Sequence, residues 1–182
     1  MSISQRLIQG APGRICTAIA TLGPLGTRMP APGTWGSGAG LLLYLIVFAR
    51  VNKLEQWAVF LGMFTALAIL AMAICTVAEK RLGKTDPREI ILDEFIAMPL
   101  IFAGTETTNF LSAQNRYAWA WFLAGFALFR ILDVSKPLGI RKLQSWPGGA
   151  GIVADDIAAA LAACLALHVL HWATLFANGL GI

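Results

Sequence analysis

Residues 57–78 constrain the fold more than any other feature, because this run of 22 residues contains no charged side chain. A helix rises about 1.5 Å per residue, so a run of this length covers the roughly 30 Å hydrocarbon core of a bilayer. The run therefore predicts a membrane-spanning helix.

A second long run, residues 157–177, has 21 uncharged residues and carries Trp172 near its end, where an interfacial aromatic side chain is expected. Three shorter apolar stretches fit spanning, tilted or re-entrant helices: residues 38–49, 95–104 and 118–132. We therefore expect an all-α fold, a multi-pass membrane helical bundle with short re-entrant or tilted helices.

The composition agrees with a chain embedded in a membrane. Of the 182 residues, 57% are apolar and 13% are charged, about half of the roughly 25% charged share of an average soluble domain. This excludes a soluble globule, and the length allows one membrane-embedded domain over residues 1–182. The net charge of +4 is too small to indicate a nucleic-acid partner. The three cysteines have no CxxC spacing, so we interpret them as small apolar side chains.

The basic residues between the apolar segments predict the orientation of the chain, since Lys and Arg near the ends of spans favour the cytoplasm. If all five segments cross, eleven basic residues lie on one side of the membrane and three on the other. The first side has Arg6, Arg14, Arg28, Lys80, Arg81, Lys84, Arg88, Arg130, Lys136, Arg141 and Lys142, and the second has Arg50, Lys53 and Arg116. We expect the first side to be cytoplasmic.

Eight of the ten acidic residues fall on the same predicted cytoplasmic side. Asp93 and Glu94 precede one apolar segment, Asp133 ends another, and Asp155 and Asp156 open the last. An acid in the first turn of a helix has an ordinary role, since it caps free N–H groups. That role does not fit Asp133, and it does not account for two doubled pairs. Carboxylates brought together without His or Cys favour Mg²⁺ over zinc.

Basic and small residues near these acids indicate anion binding. Arg130, Asp133 and Lys136 are spaced so that they can share one helix face, although a structural salt bridge would use the same spacing. Thr34 and Ser37 lie among glycines just before an apolar helix. Hydroxyl and N–H groups in that position receive a phosphate, or act as ordinary caps.

The two histidines do not belong with the acids. His168 and His171 lie more than ten residues beyond Asp156, which is roughly 15 to 20 Å along a helix. We interpret them as structural. If the chain hydrolyses a phosphate ester, a histidine would then not form a covalent intermediate, and the reaction would use water activated by a metal and a carboxylate. The alternative from a different class is a cation-coupled membrane transporter, which predicts acids in mid-helix that face one another.

Four segments, in this order along the chain, resemble the phosphatidylglycerophosphatase A family: APGTWGSGAG (31–40), DPREIILDEFIAM (86–98), FRILDVSKPLGIR (129–141) and GGAGIVADDIAA (148–159). The resemblance covers nearly the whole chain. It implies an all-helical, Mg²⁺-dependent lipid phosphatase of the bacterial inner membrane, with its active site facing the cytoplasm. Its substrate would be the membrane phospholipid phosphatidylglycerophosphate, which loses its terminal phosphate to give phosphatidylglycerol, the precursor of cardiolipin.

The resemblance also implies the roles of individual residues. Catalytic roles would fall to Asp93, Glu94, Asp133 and Asp156, metal binding to these four together with Asp155, and phosphate binding to Arg130, Lys136, Thr34 and Ser37. Our hypothesis is that Asp93 or Glu94 orients the attacking water while Asp133, Asp155 and Asp156 bind the metal. Asp86 and Glu89 lie in a less strict part of the motif and are left out of the predicted site.

Overall fold

The computed structural model describes residue 5 and residues 8–106, 111, 114–137 and 139–179, without the side chains of 178 and 179. These residues form helices and turns, with no β-strand among them. The α-helices are α1 (Ala11–Ala20), α2 (Pro24–Arg28), α3 (Pro32–Ile46), α4 (Trp57–Leu82), α5 (Leu92–Ile101), α6 (Ala118–Ser135) and α7 (Gly149–Gly179). Short 3-10 helices at Phe48–Arg50, Leu54–Gln56 and Ile140–Ser145 lie in the connections.

Four of the described helical segments are long and apolar enough to span a membrane: Pro32–Arg50, Leu54–Leu82, Ala118–Ser135 and Gly149–Ala177. They include both long uncharged runs and two of the three shorter apolar stretches. The prediction of an all-α, multi-pass membrane fold is therefore confirmed.

The helix α3 begins six residues before the apolar stretch that predicted it, so the glycine-rich segment is helical rather than a loop. Pro32 stands at its start, where a missing N–H group is tolerated. A Cβ atom at Gly36 would lie 2.9 Å from the Cβ of Ile91, and one at Gly40 would lie 2.4 Å from the carbonyl oxygen of Phe95. The glycines thus let α3 pack directly against α5, and both helices begin at the same end of the bundle.

The helix α5 has ten residues and is about 15 Å long, half of what the hydrocarbon core requires. It is buried from Ile96 to Ile101 among α3, α4, α6 and α7. Because other helices surround it, a short helix is sufficient here. The fold therefore places a short internal helix inside a shell of longer ones.

A buried polar network holds the C-terminal end of α5. The Asn52 side chain amide donates hydrogen bonds to the Phe102 carbonyl oxygen at 2.7 Å, the Tyr44 hydroxyl at 2.9 Å and the Thr105 hydroxyl at 3.1 Å. Its carbonyl oxygen accepts a hydrogen bond from the Gly104 N–H at 2.9 Å. The connection between α3 and α4 is thereby joined to the end of α5.

The helices alternate between two ends of the bundle. We call the end with Asp93, Asp133 and Asp156 the acidic end, and the opposite one the Asn52 end. A Cβ atom at Gly104, at the Asn52 end, would lie 3.1 Å from Trp57 at the start of α4 and 3.5 Å from His168 in α7. The chain therefore reaches the two ends in the order that the five-segment topology predicts, with Arg6 lying outside the described residues.

Candidate active site

A cavity of about 320 Å³ lies at the acidic end, where α3, α5, α6 and α7 meet. It is bordered by the N-terminal ends of α3, α5 and α7, by the C-terminal end of α6, and by the segment before α5. Its lining residues are Ala31, Pro32, Gly33, Asp86, Pro87, Arg88, Ile90, Asp93, Glu94, Arg130, Asp133, Lys136, Asp155 and Asp156. The cavity thus brings together all five predicted acids and both predicted basic residues.

Three of the acids form a compact group, which we call the carboxylate triad: Asp93, Glu94 and Asp156. One oxygen from each lies within 4.8 Å of the other two. Asp93 and Asp156 are buried and Glu94 is half-buried. One buried oxygen on each, Oδ1 of Asp93, Oε2 of Glu94 and Oδ2 of Asp156, has no hydrogen-bond partner among the described residues.

Asp93 lies in the first turn of α5, outside the four candidate spans, and its burial makes its charge costly. Burial, followed by the charges of Glu94 and Asp156, raises the pKa of the Asp93 carboxyl well above its usual range. A bound cation would reverse this effect, because an opposite charge stabilises the ionised form. The triad therefore gathers three acidic groups in a small volume, and among the described residues its nearest cation is Arg130, 3.8 Å from Oε1 of Glu94.

The other two acids have basic partners. Asp133 accepts a 2.8 Å hydrogen bond from Nη1 of Arg130, which also lies 3.8 Å from Oε1 of Glu94. The Asp155 carboxylate pairs with the Lys136 ammonium. The structure therefore separates the predicted metal set into three carboxylates without cationic partners at hydrogen-bond distance and two that form ion pairs.

Lys136 leaves the helix face that the sequence spacing assigned to it. The residue ends α6 with a left-handed φ of 44°, so its side chain turns towards α7 instead of continuing in line with Arg130 and Asp133. Burial opposes the Lys136 charge, but the hydrogen bond to Asp155 and the nearby carboxylates outweigh it and raise the pKa of Lys136. Lys136 therefore stays protonated at neutral pH.

Thr34 and Ser37 are both inside α3 and not in a loop before it, and neither lines the cavity. Thr34 is exposed, whereas Ser37 is fully buried and donates a 2.8 Å hydrogen bond to the Gly33 carbonyl oxygen. The Ser37 hydroxyl also lies 3.5 Å from Nη1 of Arg130. Ser37 thus contacts a predicted phosphate-binding side chain from behind the cavity.

Gly33 has a clear steric role in the cavity wall. A Cβ atom at this position would lie 2.3 Å from Oε1 of Glu94 and 3.1 Å from both terminal nitrogens of Arg130. Only glycine leaves room for these two side chains to meet.

Sequence reasoning missed the part of the cavity wall that precedes α5. Asp86 has a left-handed φ of 46°, its N–H donates to Oε1 of Glu79 at 3.2 Å, and its carboxylate accepts a hydrogen bond from Gln144. Arg88 also lines the cavity. The Asp86–Pro87 dipeptide beside the acidic motif is a turn signal, and it could have indicated that the chain turns back towards the site here.

These features define a class of protein. It is an all-helical membrane protein whose cavity, at one end of the bundle, offers carboxylates to a cation and basic side chains to an anion.

The family follows from comparison with known proteins. The model of the family described as "Phosphatidylglycerophosphatase A" matches residues 18–171. The chain belongs to the phosphatidylglycerophosphatase A family, and it is a phosphatase. Membership favours the phosphatase over the transporter, as does the position of Asp93 and Glu94 in the first turn of α5 and of Asp133 in the last turn of α6. Asp155 and Asp156 do not open the last helix as the sequence predicted, because α7 begins at Gly149 and they are its seventh and eighth residues.

Individual relatives cover most of the chain. It is 34% identical over 145 residues to the phosphatidylglycerophosphatase A of Haemophilus influenzae, which covers 79% of this chain and 80% of that protein. It is 32% identical over 144 residues to the phosphatidylglycerophosphatase A of Escherichia coli, covering 78% and 76% respectively. It is also 32% identical over 148 residues to a Bacteroides thetaiotaomicron protein named "Putative phosphatidylinositol-3-phosphatase", covering 78% and 84%. No solved structure matches the chain significantly.

Proposed function

We propose that the protein hydrolyses the terminal phosphate of phosphatidylglycerophosphate to give phosphatidylglycerol, in a Mg²⁺-dependent reaction. The observation that carries this proposal is the carboxylate triad, with its buried, unpartnered oxygens, in the same cavity as Arg130 and Lys136. The family and the names of two relatives support the choice of substrate.

The triad fits a hard divalent cation. Mg²⁺ prefers oxygen ligands and is commonly held by one or two carboxylates that leave positions for substrate phosphate. The unpartnered oxygens of Asp93, Glu94 and Asp156 are of that kind, and no histidine or cysteine lines the cavity among the described residues. We assign these three residues to the metal; when bound, Mg²⁺ would supply positive charge to the phosphoryl oxygens.

The remaining residues bind and orient the phosphate. Arg130 and Lys136 neutralise phosphoryl oxygens, which is the main requirement of phosphoryl transfer. Their ion pairs with Asp133 and Asp155 hold the two cations in position, so we assign Asp133 and Asp155 to positioning rather than to the metal. This assignment differs from the hypothesis drawn from the sequence.

Water provides the nucleophile. Through the oxygen that does not bind the metal, a carboxylate of the Asp93–Glu94 pair orients the water and accepts its proton as the water oxygen bonds to phosphorus. The bond between phosphorus and the glycerol oxygen breaks, and that oxygen takes up a proton. The products are phosphate and phosphatidylglycerol, and one water is consumed.

The cavity size agrees with a head group as its ligand. About 320 Å³ is at the small end of the roughly 300 to 1,000 Å³ typical of ligand sites, so the cavity has room for a phosphoglycerol group but not for acyl chains. We place the acidic end at the cytoplasmic face of the bacterial inner membrane, because the basic residues favour that orientation.

The test is a head-group panel with purified protein in detergent micelles containing Mg²⁺. We expect phosphate release from phosphatidylglycerophosphate to exceed release from phosphatidic acid, phosphatidylinositol 3-phosphate and p-nitrophenyl phosphate, and to stop with EDTA. Release no faster than from the unrelated phosphomonoesters would overturn the substrate, and an undiminished rate in EDTA would overturn the metal.

A further inference from the structure

Arg88 differs from the other two cations in the cavity wall. Arg130 and Lys136 are each paired with carboxylates. Arg88 is exposed, and no hydrogen bond or ion pair joins its side chain to another described residue. Among the described residues that line the cavity, Arg88 is therefore the cation that a ligand can bind without displacing a carboxylate from it.

The backbone that carries Arg88 is held from several sides. Asp86, two residues earlier, is bonded to Glu79 in α4 and to Gln144 in the 3-10 helix that precedes α7. Pro87 is buried, and after Arg88 the Ile91 N–H donates a 2.9 Å hydrogen bond to the Ala20 carbonyl oxygen. The backbone at Arg88 is thus fixed while its side chain has no hydrogen bond or ion pair to a described residue. This arrangement suits a side chain that binds a ligand.

Arg88 is the cavity cation that the terminal phosphate does not need, so it could bind a second anionic group on the ligand. The terminal phosphate has the carboxylate-bound cation, Arg130 and Lys136 to bind it. The head group of phosphatidylglycerophosphate also has a phosphodiester, separated from the terminal phosphate by a single glycerol unit. Phosphatidic acid has a phosphomonoester alone.

We propose that Arg88 binds the phosphodiester of the substrate and so makes the enzyme select phosphomonoester lipids whose head group also contains a phosphodiester. This inference rests on the proposed function. The planar guanidinium matches a pair of phosphate oxygens, which gives both charge and geometry to the contact. Because the phosphodiester does not react, the contact is the same before and during the reaction, and it contributes to KM rather than to kcat.

The test compares Arg88→Gln with wild type on phosphatidylglycerophosphate and phosphatidic acid of identical acyl chains, in micelles of neutral detergent. We expect kcat/KM for phosphatidylglycerophosphate to fall about tenfold, mainly through KM, as for the loss of one charge-assisted hydrogen bond. The value for phosphatidic acid should stay within about twofold, which also shows that the variant is folded. Arg88→Lys should lose less than Arg88→Gln, because it keeps the charge.

Arg141→Gln is the matched control, since Arg141 is an exposed arginine of the same end that does not line the cavity. It should leave both substrates unchanged. An equal loss for both substrates in Arg88→Gln, no loss for either, or the same loss in Arg141→Gln would overturn the inference. Wild-type protein that acts on phosphatidylglycerophosphate no faster than on phosphatidic acid would overturn the proposed substrate itself, and this inference with it.

Discussion

The five cavity carboxylates that the sequence predicted differ in what surrounds each of them. Asp93, Glu94 and Asp156 share a small volume and keep an unpartnered buried oxygen each, whereas Asp133 and Asp155 face Arg130 and Lys136. A buried carboxylate oxygen without a hydrogen-bond partner is costly, and its presence on all three residues supports the metal-binding role proposed for them.

This division predicts two kinds of variant. Asp156→Asn should lower phosphate release by more than about 100-fold and raise the Mg²⁺ concentration needed for half-maximal rate, because it removes a proposed ligand. Asp133→Asn should raise KM with less effect on the Mg²⁺ requirement, because it releases Arg130. Phosphate release measured over a Mg²⁺ titration, at equal membrane abundance, separates the two.

Glu55→Gln, at the Asn52 end, is the control and should behave as wild type. Identical Mg²⁺ curves for Asp133→Asn and Asp156→Asn would contradict the division. Full activity in Asp93→Asn, Asp133→Asn and Asp156→Asn alike would remove the site assignment altogether.

The sequence predicts an ion pair only where its two residues are close together in the chain. The spacing of Arg130 and Asp133 indicated a pair, and the structure has it at 2.8 Å. The partner of Lys136 is 19 residues away on another helix, and the left-handed turn at Lys136 that makes this pair possible has no mark in the spacing. Non-local pairs depend on how helices meet, which the sequence alone does not state.

At the scale of elements, the contact between α3 and α5 positions the site. Gly33, Gly36 and Gly40 lie on the side of α3 that faces α5 or its side chains, and each leaves too little space for a Cβ atom. Small residues allow helices in membranes to approach closely. This contact brings the start of α3 against Glu94 at the start of α5.

Gly40→Ala should therefore lower the stability of the fold by about 1 to 3 kcal/mol, as overpacking does in a close-packed interior. Gly38→Ala is the matched control on the same helix, since nothing lies within 4 Å of its Cβ position. It should raise stability by about 0.5 to 1 kcal/mol, because alanine favours a helix over glycine. Thermal unfolding in detergent measures both, and equal shifts in the same direction would contradict the packing argument.

The sequence predicted long helices better than short ones. The run of residues 57–78 begins where α4 begins, because length and lack of charge decide a spanning helix without help from neighbours. The glycine-rich segment before residue 38 was expected to precede the helix, and the structure makes it part of α3. Packing against α5 outweighs the low helix propensity of glycine there. The ten residues of α5 are helical inside the bundle, where neighbours determine their length.

At the scale of the whole molecule, the two ends differ in charge. The sequence predicted eight acidic and eleven basic residues on one side of the membrane. All the charged residues that line the cavity belong to this set, and they lie at the acidic end. Because the predicted side has more Lys and Arg residues than the opposite side, the acidic end is expected to face the cytoplasm.

This orientation predicts a labelling pattern in intact cells. Glu55→Cys should react with a membrane-impermeant maleimide from outside, and Ser145→Cys should react only after the cells are permeabilised. Both positions are exposed, at opposite ends of the bundle. The parent for both is a variant with Cys16→Ser and Cys164→Ser; the reverse pattern would place the acidic end outside.

In the proposed function, the cavity of about 320 Å³ holds a head group while the acyl chains stay among their neighbours in the bilayer. Under the proposed function, enzyme and substrate therefore meet by diffusion in two dimensions, within one leaflet. The relevant concentration is the mole fraction of substrate among the surrounding lipids, not its amount per volume of suspension. Inert lipid dilutes the substrate, extra buffer does not, and the product returns to the leaflet from which the substrate came.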